Sequence, residues 1–141
     1  MATVENPLGE VLEALGQVLG DMPGLVRWFD QPPENMSEFP CAMAWVREGE
    51  IGEVSAGLSR GLHTVYVDIF QARTVLPEAI EKANGWPYRV FRRLQDNATL
   101  NGTVAAIVWP MRHRAGPMTY ANGDAPYDGV RCEVSVKVLV E

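Results

Sequence analysis

The chain has 141 residues, and a chain of this length makes one domain that buries about 68–70% of its unfolded surface. Hydrophobic residues make up 47% and charged residues 21%, close to the globular average, so disorder is not the default reading. Eighteen acidic residues against twelve basic ones give a net charge of −6, which argues against nucleic acid or an anionic membrane as the main partner. The longest unbroken apolar run, Val104 to Met111, is far short of a membrane span and contains Pro110. With Glu5 and no early Lys or Arg, the start of the chain does not read as a secretory signal.

Asn6-Pro7 predicts a helix start, with Asn as the cap and Pro in the first helical position. Leu8, Val11, Leu12, Leu15, Val18 and Leu19 then recur on one face, and Gly20 ends the helix. Leu25 to Phe29 reads as a short strand, and the Pro-rich stretch Gln31 to Pro40 as an irregular loop. Cys41 to Val46 is a second strand that runs into an acidic segment containing Glu48, Glu50 and Glu53. Ile51–Leu58 and Leu62–Ala72 flank Ser59-Arg60-Gly61 and predict a hairpin turning there. The second arm is apolar on both faces, as a central strand would be.

Pro77 opens a second helical region, with Leu76, Ala79, Ile80 and Ala83 on one face. Gly85-Trp86-Pro87 must break it, because Pro removes a donor and clashes with the preceding turn. The helix resumes with Val90, Phe91 and Leu94, and Asn101-Gly102 turns the chain. Thr103 to Trp109 is the next strand, and residues 110–129 read as a long loop. Val130 to Val140 alternates Val and Cys with Arg131, Glu133, Ser135 and Lys137, a strand with one dry face and one wet face. The fold class is therefore α+β: one domain over 1–141, with a largely antiparallel β-sheet. The N-terminal helix and the broken central helix (76–96) pack on one face of it. The expected core is Leu12, Leu15, Val67, Ile69, Val90, Leu94, Val134, Val136 and Val138.

No HExxH, GxSxG, GxxxxGK or GxGxxG motif is present, so no catalytic, cofactor-binding or metal-ligating residue is assigned. His63 and Asp68, five apart in a strand, point to opposite faces and cannot act as a dyad. Glu48, Glu50 and Glu53 lack the spacing of a calcium loop. Cys41 and Cys132, far apart and without a partner motif, read as buried thiols. What remains is charge. Arg89, Arg92 and Arg93 lie on the broken helix, with Arg89 and Arg93 sharing a face, and Arg112 and Arg114 lie at the loop base. Arg89, Arg93, Arg112 and Arg114 facing Glu48, Glu50 and Glu53 of a neighbouring copy would suit a head-to-tail ring.

Several segments, in order, resemble the tail terminator (tail completion) proteins of long-tailed bacteriophages. They are the helix Leu8–Leu19, the connector through Pro32-Pro33 to Phe39-Pro40-Cys41-Ala42, and His63-Thr64-Val65-Tyr66-Val67-Asp68-Ile69. Leu94-Gln95-Asp96-Asn97-Ala98-Thr99-Leu100-Asn101-Gly102-Thr103 and Ala125-Pro126-Tyr127-Asp128-Gly129-Val130 before the last strand complete the pattern. The resemblance covers nearly the whole chain and implies a non-enzymatic virion part without cofactors, assembled in the host bacterial cytoplasm. It implies a hexameric ring that caps the head-proximal end of the tail tube, stops tube polymerisation and receives the filled head. Its partners would be its own copies, tail tube protein and head–tail connector proteins, with the genome passing through unbound and no membrane involved. Two other roles stay open on the residues alone. One is a head-closure or neck adaptor; the other, from a different class, is a small-molecule-binding domain or enzyme with the 110–129 loop as a lid.

Overall fold

A computed structural model of the chain describes residues 5–72, 76–118 and 127–141. The Asn6 side chain accepts from the Gly9 amide at 3.0 Å and, with Pro7 next, starts helix α1 (Pro7–Leu19) where the sequence predicts it. The helix buries Val11, Ala14, Leu15 and Leu19. Gly16 leaves room for the Trp28 indole, whose Nε1 would lie 2.7 Å from any Cβ placed there.

Strand β1 (Arg27–Phe29) pairs in parallel with β2 (Cys41–Ser55), and every other pairing is antiparallel. The sheet order is β1-β2-β3-β5-β4, with β3 (Leu58–Gln71) central, β5 (Tyr127–Val140) beside it and β4 (Ala106–Met118) at the edge. Helices α2 (Leu76–Asn84) and α3 (Trp86–Asp96) are parted at Gly85, as the Gly-Trp-Pro break requires. The buried Gln71 side chain fixes that break to the sheet. With its amide oxygen turned toward them, it accepts from Trp86 Nε1 at 3.1 Å and from the Ala83 amide at 3.2 Å. After α3, Leu100, Asn101 and Gly102 all take positive φ, and Asn101 is held by Asn97.

All three helices lie on one face of the sheet. Val11, Leu15 and Leu19 of α1 and Trp86, Val90 and Leu94 of α3 join one buried cluster with Val65, Val67, Ile69 and the even-numbered residues Val130 to Val138 of β5. Of the expected core, Leu12 alone is only partly buried. The side chains of Leu76 and Ala79 lie outside the described residues. The opposite face carries a smaller cluster, Met36, Cys41, Met43 and Phe70, covered by Phe39 and Tyr127. The Pro-rich connector thus caps one end of the sheet, and the odd-numbered face of β5 is half-buried instead of wet.

Four expectations need correction. The first strand is shorter than Leu25–Phe29, beginning at Arg27. The second does not stop at Val46. It continues through the acidic segment to Ser55, so the hairpin turns at Ala56-Gly57, where Gly57 takes φ +80, and not at Ser59-Arg60-Gly61. Strand β4 begins at Ala106 and runs to Met118, so residues 110–118 and 127–129 are paired strand instead of loop. An edge strand tolerates Pro110 and Pro117 because a missing N–H on one side costs no ladder bond. The tip of that supposed loop, with Ala125 and Pro126, lies outside the described residues.

Candidate interaction surfaces

Beyond Val46 the β2–β3 hairpin leaves the shelter of the helices. Residues 47–55 are exposed without a break, and β1 covers β2 only at Cys41, Ala42 and Met43. A register shift between Val46 and Glu48 sets the faces of this arm. Pairing of Gly49 with His63, Ile51 with Gly61 and Glu53 with Ser59 places these residues on the helix-side face, where the buried His63 is the one basic side chain among them. Glu48, Glu50 and Arg60 lie on the other face. Ile51 is 72% exposed and Val54 53%. His63 anchors the base of the arm: it is buried, and a Cβ on Gly49 or Gly61 would strike its imidazole. Burial pushes the His63 pKa below its usual 6.5.

At the opposite edge of the sheet β4 bulges. Val108 pairs with Ser135 and Arg112 with Glu133, so three residues stand opposite Val134 alone. An insertion of two residues preserves the alternation of faces, which keeps Ile107 and His113 toward the helices and Arg112 and Arg114 away from them. The bulge pushes Trp109 and Pro110 against α3 and forms an apolar groove of about 520 Å³ lined by Tyr88, Phe91, Trp109, Pro110, Met111 and His113. Its aromatic rings form a ladder. Tyr88 meets Phe91 edge-on at 6.4 Å, and Phe91 meets Trp109 at 5.1 Å. Tyr88 is 75% exposed and Trp109 41%. Exposed Tyr88 and Trp109 beside the half-buried Met111 give the groove the composition of an interface core.

The four candidate arginines do not share a surface. Arg89 stacks on Trp86 at 4.7 Å and donates to the Pro23 carbonyl at 3.2 Å. Arg93 pairs with Asp21 and donates to the Val18 carbonyl. Both tie α3 to the end of α1 and the connector after it. Arg112 and Arg114 lie on the far side of the sheet, where Arg114 stands directly opposite Arg131. Among the described residues Arg92 has no hydrogen-bond or ion-pair partner; it lies one turn beyond Tyr88 on the exposed crest of α3. Glu48, Glu50 and Glu53 are likewise unpaired among the described residues, all on the arm. The i, i+4 spacing of Arg89 and Arg93 predicts a shared face, and both engage the α1 end and the connector of their own chain at the surface.

Among the described residues, the charged cluster held away from water is on the helix-free face. Asp68, 2% exposed, accepts from Arg131 Nε at 2.8 Å and Nη2 at 3.1 Å and from Trp45 Nε1 at 2.8 Å. The guanidinium lies 4.3 Å from the Tyr66 ring centroid and 5.4 Å from that of Trp45. The bond to Asp68 raises the Arg131 pKa above its ordinary value. Asp68 pairs in register with Met43 and Arg131, and His63 with Gly49 and Val136, so the two do occupy opposite faces.

Cys41 and Cys132 are free and buried, as expected. Burial, aided by the charges of Glu38 and Asp68 respectively, pushes their thiols up to about 11 and about 12. Among the described residues no group of three or more His, Cys, Asp or Glu is placed to hold a metal ion, and no helix is long and apolar enough to cross a membrane. No family model matches the chain, and no curated protein matches it.

Proposed function

We propose that this chain is a structural virion protein of the tail-terminator type: a ring-forming subunit, six to a ring, that ends tail-tube growth and presents the surface to which the head docks. The observation that carries the reading is the pair of unlike surfaces at opposite edges of the sheet. One edge projects an acidic arm with bare Ile51 and Val54, and the other holds an aromatic groove between α3 and β4. Unlike surfaces on opposite sides of a subunit associate head to tail, and such contacts close into rings when the rotation permits. A net charge of −6 also suits a pore that DNA must traverse without adhering, because phosphate contacts through Lys and Arg would retain it. The ring would assemble in the host bacterial cytoplasm and remain in the virion, in contact with tail tube and connector proteins.

Deletion of the gene in the phage that encodes it tests the role. A terminator predicts overlong tubes and intact filled heads without tails. Tails of normal length beside heads that leak DNA would assign the chain to head closure in the neck instead. The groove also supports a second reading, since its volume of about 520 Å³ falls within the roughly 300–1,000 Å³ of small-molecule sites. In that reading the strand 110–118 is a fixed wall of the site, not a lid. A monomer stabilised by an apolar ligand is its signature.

A further inference from the structure

We infer that the occupant of the α3–β4 groove is the β2–β3 arm of a second copy of this chain, with Ile51 entering the aromatic ladder and Glu53 meeting Arg92. This rests on the ring reading and names the joint within it.

Three observations converge on the same two surfaces. The first is chemistry. The groove offers ring surface of Tyr88, Phe91 and Trp109, and the arm offers Ile51, 72% exposed. Ile51 and the outer surfaces of Tyr88 and Trp109 are left facing solvent. The second is charge. On the groove's side of the sheet, helix α3 carries Arg89, Arg92 and Arg93 against the single acid Asp96, while Arg112 and Arg114 of β4 face away. The helix-side face of the arm carries Glu53 near Ile51, and its His63 is buried at the arm's base. With Arg89 and Arg93 committed to Pro23, Val18 and Asp21, Arg92 is the cation of α3 left to meet an incoming carboxylate. The third is topology. Strands β3 and β5 separate β2 from β4, and three strand spacings of about 4.8 Å each keep a subunit's own arm from its own groove. The contact must be made between copies, and it leaves a free arm at one end and a free groove at the other. Such a head-to-tail chain closes into a ring when the rotation between copies permits.

The test uses native mass spectrometry on the full chain and two variants, Ile51→Asp and Tyr88→Asp. Both positions are largely exposed, so circular dichroism and melting should match the parent. Each variant alone should weaken association at least about tenfold, as loss of a buried interface anchor does. Mixed in equal amounts they should form a dimer and stop there, because one partner keeps a sound groove and the other a sound arm. Reversing one charge, Glu53→Arg or Arg92→Glu, should also weaken assembly, and combining both reversals should restore it. If the parent assembles and either single variant assembles equally well, the joint is elsewhere and the inference falls while the ring reading stands. If the single variants are monomers and their mixture is too, a head-to-tail joint through these surfaces is overturned. If the parent is a monomer at every concentration, the ring reading and the inference fall together.

Discussion

Replacing Arg131 with Met should be among the most damaging single changes on the helix-free face. Asp68 is almost fully buried and accepts three hydrogen bonds, two of them from the Arg131 guanidinium at 2.8 and 3.1 Å. The substitution keeps much of the aliphatic stem against Tyr66 but leaves the carboxylate with the neutral Trp45 N–H alone. Removing one partner of a buried pair costs about 3–5 kcal/mol, because the remaining charge stays desolvated. At a urea slope of about 2 kcal/mol per molar, the unfolding midpoint should fall by about 2 M. The companion variant Asp68→Asn with Arg131→Met removes the buried charge, keeps an acceptor for Trp45, and should recover most of the loss. Urea denaturation of the parent, both single variants and the double variant gives the coupling directly. A loss below about 1 kcal/mol for Arg131→Met, the scale of an exposed ion pair, would refute the claim that Asp68 is held dry.

Val136→Asp places a carboxylate on the fully buried side of β5, opposite only the buried His63, and should cost several kcal/mol and abolish recovery of folded protein. An unchanged melting temperature would show that the strand is misplaced. The depressed pKa of His63 makes stability depend on pH with a defined sign: the unfolded chain binds a proton near 6.5 and the folded chain only below that, so stability falls as pH drops from 6.5 through the folded value. The difference in unfolding free energy between parent and His63→Asn should shrink over that window, and a constant difference would contradict it. Cys41 and Cys132, with thiols pushed up to about 11 and about 12, should resist a thiol reagent at pH 8 and label rapidly in denaturant. Rapid labelling of the native chain would show that one is accessible.

What was legible in the sequence was local. Asn6-Pro7 places the start of α1 because a side-chain cap and a preset φ act within one turn, and Gly85-Trp86-Pro87 places the break before α3 for the same kind of reason. Val130 to Val138 alternates apolar with polar residues, only Leu139 breaking the pattern after it, because β5 lies between two strands with one face against the helices. The ends of β2 and β4 were not legible. Gly49, Gly52 and three glutamates in the arm, and Pro110, Gly116 and Pro117 in β4, have weak strand preference, and their pairing is imposed by β3 and β5. The sites suffered from the same blindness to distance. Asp68 and Arg131 are 63 residues apart in sequence and meet only through the β3–β5 register. Arg89 and Arg93 were sorted correctly onto one face of a helix, but nothing in the spacing shows that Pro23, Val18 and Asp21 occupy it. The groove depends on a two-residue bulge in β4, which carries no sequence signal beyond Pro110.

The central claim is that copies of this chain join through unlike surfaces into a closed ring. Native mass spectrometry of the purified parent over a range of concentrations tests it most directly. The account predicts a species at six times the subunit mass that grows with concentration and resists dilution more than any open intermediate. A single monomer mass throughout, or a twofold dimer that never grows, would contradict it.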